Sequence, residues 1–250
     1  MSENRSASGG KVLRIGDTGS DVVEMQRMLI GWGSKAQPVV LDGIFGTTAE
    51  SALKRFQSAH NLTPTGIYDE LTDNECNQEV ARHAFPLENC KCPCGECGGF
   101  GQAQFENEYI LGKPAVEAYY RYEYPGIDET LIWAVRALMH RAGIPKIIIT
   151  SGYRCWIYNK QTGRNTTNHL GKAIDFISVR AGEHNRNIHQ KIECPECARV
   201  RRIGIEECGF QPGWTYVNRV SFEMPIHGAY TWIHIDTRQI PRNLRRYMKI

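Results

Sequence analysis

The pattern of apolar and polar positions predicts helices first. Over positions 21–31 (DVVEMQRMLIG), Val22, Met25, Leu29 and Ile30 share one helical face, and Gly31 closes the segment. From position 48 to about 60, Ala49, Ala52, Leu53 and Phe56 form a second buried stripe, with Thr47 or Thr48 placed to cap the N-terminus. A later helix is expected over 128–142, where Leu131, Val135, Leu138 and Met139 are apolar and Gly143 is the stop. The period then changes. Positions 146–150 form a β-branched run that reads as a buried strand, and a second strand-like stretch begins at Asp175. Helix and strand together point to an α+β domain in the second half.

Between the first two helices, Asp42-Gly43-Ile44-Phe45-Gly46-Thr47-Thr48 is echoed by Thr65-Gly66-Ile67-Tyr68-Asp69-Glu70-Leu71-Thr72, about 23 residues on. Each copy holds a glycine turn, an apolar pair and a threonine able to cap the next helix. With Leu13, Gly16, Gly19, Val22, Gln26, Leu29, Ala52, Phe56, Gln57 and Leu62, the segment resembles the three-helix peptidoglycan-binding module at the ends of cell-wall hydrolases. The resemblance implies a flexible leader at 1–10, a peptidoglycan-binding domain at 11–75, a linker at 76–89 and a second domain at 90–250.

Composition narrows the classes. A chain of 250 residues, 41% hydrophobic and 23% charged, can form one large or two modest domains, so disorder is not its main state. No run approaches the roughly 18 apolar residues of a membrane span, and positions 1–10 lack the apolar core of a secretory signal. Synthesis in the cytoplasm without membrane insertion is therefore expected; the sequence leaves the oligomeric state open, with a monomer as the default. A net charge of +3 is too small to imply nucleic acid. Nine cysteines, an odd and clustered set, favour thiolate metal binding over a disulfide scaffold. Cys94-x-x-Cys97 and Cys194-x-x-Cys197 could share one structural zinc, with Cys90, Cys92 and Cys208 as substitute ligands; free thiols or one disulfide are the alternatives.

Chemistry concentrates downstream. Ser151-Gly152-Tyr153-Arg154 leaves the predicted strand, Asn168-His169-Leu170-Gly171-Lys172-Ala173-Ile174-Asp175 follows, and Trp232-Ile233-His234-Ile235-Asp236 lies near the end. Two imidazoles and a carboxylate, His169, Asp175 and His234, suit a zinc ion with one position open to water. Gly171 and Ala173 let the backbone bend close to it. In this order SGYR, H-x-G-x-A-x-D and W-x-H-x-D resemble the zinc D-alanyl-D-alanine carboxypeptidase family, which includes phage and bacterial L-alanyl-D-glutamate endopeptidases. The resemblance implies a hedgehog/DD-peptidase-like α+β zinc peptidase domain, with His169, Asp175 and His234 on zinc and Arg154 on a substrate oxygen.

Two departures follow from that likeness. His169 and Asp175 stand six apart, one residue tighter than the family's usual spacing, and Thr231 occupies the place of the family's general base. That role passes to Asp236, on the same strand face as His234, where it could instead orient the ring; His227 is the rival. His140, His184 and His189 read as surface or helix-face residues, and the Tyr-rich stretch 119–124 as a packing loop. The expected function is zinc-dependent hydrolysis of peptidoglycan stem peptides, as by a phage endolysin released to the cell wall. The alternative is a non-catalytic wall-binding protein that keeps a metal site.

Overall fold

The computed structural model describes residues 12–100, 126–164, 169–179, 191–213 and 220–237. The leader at 1–10, the 119–124 stretch, His184 and His189 lie outside them. The first three helices are α1 (Ser20–Met28), α2 (Thr47–Ala59) and α3 (Glu70–Arg82).

The internal repeat is built twice by the same device. Gln26 of α1 accepts from Gly43 N at 2.9 Å through Oε1 and donates to Ile44 O at 3.0 Å through Nε2. Gln57 of α2 repeats this with Gly66 N at 2.9 Å and Ile67 O at 2.9 Å. Both glycines sit at φ 72°, left-handed backbone that a side chain rarely adopts. The expected threonine caps are replaced. Gly46 caps α2 without a side-chain bond, and Asp69 caps α3 by accepting from Thr72 N. A carboxylate suits a helix N-terminus better than a hydroxyl already engaged elsewhere, as Thr72 Oγ1 is with Asp69. Residues 76–82, assigned from the sequence to a linker, are the last turns of α3, with Cys76 and Glu79 facing inward.

The helix α4 (Glu129–Ala142) begins where Asp128 accepts from Thr130 N and ends at Gly143 in the left-handed region, as expected. It is buried on nearly every face because it serves two partners, α1 on one side and α6 (Pro195–Glu206) on the other, with the short α5 (Trp156–Gln161) between α4 and α6 in the chain. Trp32 seals the first contact. It packs against Phe56, His60 and His140, with the Arg141 guanidinium 4.7 Å above its ring. One continuous apolar core therefore runs through both halves of the chain.

Strands β1 (Ile147–Ser151), β2 (Ala173–Ser178), β3 (Gln211–Pro212), β4 (Ser221–Phe222) and β5 (Ile233–Asp236) form one sheet in the order β1-β2-β5-β4-β3. Neighbours are antiparallel except β3 and β4. Register sorts the side chains into two faces. Ile174, Phe176, Ile233, Ile235 and Phe222 share the face turned to the helices, where a Cβ on Gly204 of α6 would meet Phe222 at 2.4 Å. Asp175, His234, Asp236 and Ser221 share the other. Asp175 lies inside β2 rather than at its start.

Candidate functional site

The polar face of the sheet gathers the predicted metal donors. Asp175 of β2 pairs directly with His234 of β5, and Ser151 of β1 pairs with Asp175 across a bulge. On the other side Glu223 N donates to His234 O at 3.2 Å, one step beyond the Phe222–Ile235 pair, so Glu223, just past β4, extends the row of Ser151, Asp175 and His234. His169 arrives from the turn before β2. The ligating atoms of His169, Asp175 and His234 all lie within 4.8 Å of one another, and all three residues are buried.

The hydrogen bonds prepare these rings for a cation. His169 Nδ1 donates to Gly152 O at 2.8 Å; a carbonyl only accepts, so Nε2 keeps its lone pair and faces Asp175 Oδ2 at 3.4 Å. His234 Nδ1 meets Asp175 Oδ1 at 2.7 Å, while Nε2 meets Asp236 Oδ2 at 3.3 Å. Burial pushes His169 down to about 4 despite Asp175 beside it. Burial also opposes charge on His234, but the hydrogen bond and charge of Asp175, then Asp236, outweigh it and raise this ring to about 9. Burial likewise opposes charge on Asp175, yet the two imidazoles hold it far below the usual carboxylate range. Two imidazole nitrogens and a carboxylate that converge within 4.8 Å fit a zinc ion.

The remaining expected site residues divide. Arg154 is at the site: Nε donates to Ser151 Oγ at 2.7 Å and Nη2 to Asp175 Oδ2 at 3.1 Å. Asp236 is buried behind His234, accepting from Ser221 Oγ at 3.0 Å. His227 is exposed in the short 3-10 turn Pro225–His227. Glu223, which the sequence reading missed, places Oε2 4.0 Å from His234 Nδ1, on the side of the ring that faces Asp175. Burial raises its pKa, and the neighbouring Asp175 charge adds to this against the opposing pull of His234. Arg201 of α6 pins this region from beneath by donating to Glu223 O at 3.2 Å and Ala229 O at 2.6 Å. No local motif marks Glu223; only the pairing of β4 with β5 does.

Two of the four expected cysteines, Cys94 and Cys97, stand in a group of thiols. The thiols that come together are Cys92, Cys94, Cys97 and Cys155; among the described residues Cys194 and Cys197 belong to no such group. Cys194 precedes α6 and Cys197 lies in its first turn, anchored far along the chain from the 92–97 segment. Cys90 is directed away, its thiol donating to Pro86 O at 3.8 Å. His140, read as a surface or helix-face residue, lies half-buried on a face of α4, where with His60 it flanks the buried Glu79.

Residues 18–73 match the family described as "Putative peptidoglycan binding domain", and residues 115–207 match Peptidase M15. The two matches fall one after the other along the chain. The stretch that matches Peptidase M15 contains Arg154, His169 and Asp175, whereas His234 lies beyond it and is brought in by the β2–β5 pairing. A curated zinc D-Ala-D-Ala carboxypeptidase of Streptomyces albus G is 25% identical over 171 residues, 66% of this chain and 60% of that protein. The chain thus spans about three fifths of this relative's length. A solved fused Zn-dependent amidase/peptidase/peptidoglycan-binding domain-containing protein from Clostridium acetobutylicum ATCC 824 is 35% identical, covering 27% of this chain and 29% of its own, with a TM-score of 0.25.

Proposed function

We propose that this chain is a zinc-dependent peptidase that hydrolyses peptide bonds of peptidoglycan stems while its N-terminal segment holds the polymer. The observation that carries the reading is the buried His169–Asp175–His234 cluster with Glu223 beside His234. In this reading His169 Nε2, Asp175 and His234 Nδ1 would hold the metal, which would supply Lewis acidity toward a carbonyl oxygen and acidify a water.

The chain's own residues do the rest. Arg154, with Nε and Nη2 committed to Ser151 and Asp175, has Nη1 left to bind a substrate oxygen. Glu223 takes a proton from the attacking water and returns it to the leaving amine as the carbon–nitrogen bond breaks. Asp236 fixes the His234 ring through Nε2, the carboxylate–histidine arrangement common behind zinc ligands. For the wall contact, a cavity of about 380 Å³ lies beside the first glycine turn, lined by Gln26, Gln37, Val40, Asp42, Ile44 and Thr48. Ile44 is exposed there, as a ligand-facing apolar side chain would be.

Digestion of purified peptidoglycan with mass spectrometry of the released termini tests the reading. New amino and carboxyl termini within stem peptides are expected, abolished by a chelator and restored by zinc. Their position names the bond. Sedimentation with sacculi and no new termini would instead mean a wall-binding protein that retains a metal site. The endolysin role rests on the same reading and requires that the chain also lyse cells whose inner membrane has been permeabilised.

A further inference from the structure

We propose a second metal site, a zinc ion held by Cys92, Cys94, Cys97 and Cys155, that staples the cysteine-rich segment to the loop behind the proposed catalytic cluster. The Cys92 and Cys155 sulfurs stand 3.5 Å apart and those of Cys155 and Cys94 3.6 Å. Sulfurs around a tetrahedral zinc, at bonds of about 2.3 Å, stand about 3.8 Å apart, whereas a disulfide joins them at about 2.05 Å.

Backbone amides surround the group. Cys94 Sγ accepts from Glu96 N at 3.3 Å and Cys97 N at 3.2 Å, and Cys97 Sγ accepts from Gly99 N at 3.4 Å. Cys92 Sγ accepts from Cys155 N at 3.4 Å, and Cys155 Sγ accepts from Tyr158 N at 3.5 Å. A neutral thiol is a poor acceptor, so amides aimed at all four sulfurs form a cradle for thiolates. Zinc binding releases the thiol protons to solvent and leaves the metal coordinated by sulfur alone.

The staple has a definite load. Residues 91–99 contain no helix or strand, and little apolar burial beyond Cys92 holds them. Yet this segment follows Cys90, whose carbonyl accepts from Tyr153 N at 2.7 Å and whose Cα a Cβ on Gly152 would approach to 2.3 Å. Gly152 O orients His169, Arg154 N donates to His169 O, and Cys155 is the next residue. A metal at Cys155 therefore fixes the backbone that sets both His169 and Arg154. The site stands apart from the proposed hydrolysis, because sulfur coordination does not depend on turnover.

Cobalt substitution of the full chain tests it. Sulfur-to-cobalt charge-transfer bands with the intense visible bands of a tetrahedral site are expected. They should persist in His169→Ala, which removes only the other cluster, persist in Cys194→Ser, and vanish in Cys94→Ser. Should Cys94→Ser fail to fold, organomercurial titration of the parental zinc protein provides the decision: one zinc should be released as four thiols react. Absence of the charge-transfer bands, loss of them in Cys194→Ser, or peptide mapping that finds these cysteines paired as disulfides would overturn the site. Failure of hydrolysis with the bands intact would overturn only the proposed function.

Discussion

At the scale of single residues, the division of labour around His234 is set by which ring nitrogen each carboxylate meets. Asp236 faces Nε2, away from the other donors, and Glu223 faces Nδ1, beside Asp175. Glu223→Gln keeps the shape and removes the basic oxygen, so turnover should fall about 100-fold or more with zinc content unchanged. Asp236→Asn should instead weaken zinc binding by about 10-fold to 100-fold, with excess zinc restoring much of the rate. His227→Gln, on an exposed turn, should behave like the parent. Metal analysis and turnover of the three variants check this; parental turnover in Glu223→Gln would remove Glu223 as the base. The sequence offered Asp236 because positions two apart in a strand share a face, and His227 because an imidazole can serve as a base. Glu223, eleven positions upstream of His234, becomes a neighbour only through strand register.

Among the elements, the repeated turns show how a short motif acquires a structural role. The glycines and following isoleucines were legible as a repeat, but the residues that hold them are glutamines on the preceding helices. Gln57 is buried and also meets Thr72 Oγ1 at 3.1 Å, so it links its turn to α3. Gln57→Ala would leave the buried amide of Gly66 without its acceptor, at a cost of about 1–3 kcal/mol. A lowered melting temperature for the full chain is the expected readout, and an unchanged one would mean that water replaces the side chain at no cost. The ends of α4 were readable because Asp128 and Gly143 act within one turn of the helix. The caps of α2 and α3 were misread, since Gly and Asp compete for positions that threonine also fits.

Across the whole molecule, the two segments meet at a buried ionic joint. Glu79 of α3 contacts His60 Nε2 of α2 at 3.1 Å, His140 Nδ1 of α4 at 3.3 Å and His83 Nε2 at 3.6 Å, with Arg82 Nη1 at 3.3 Å. Burial opposes charge on Glu79, but hydrogen bonds from His140 and His60 and the surrounding positive charge hold its pKa far below the ordinary value. A carboxyl depressed in the folded state contributes stability above its unfolded pKa of about 4.3 and loses that contribution as the pH falls toward the folded value. Burial also lowers His83, so stability begins to decline below about 6.5, where the unfolded histidine takes up a proton first. Thermal melts across this range should show an acid limb that is shallower in Glu79→Gln, with a lower plateau near neutrality. The same limb in both proteins would show that the joint does not couple protonation to folding.

What the sequence determined by itself is what short-range physics decides: the stripes of the helices, the glycine turns, the caps of α4, and the donor types His169, Asp175 and His234. Imidazole and carboxylate side chains announce their chemistry wherever they stand. Tertiary structure decided which groups meet. It drew Cys155 rather than Cys194 and Cys197 to the 92–97 segment, put Glu223 beside His234, and turned His140 inward to Glu79. Those choices depend on strand register and helix packing between distant parts of the chain, and such contacts leave no period in the sequence because their partners are selected by shape and burial after the local elements have formed.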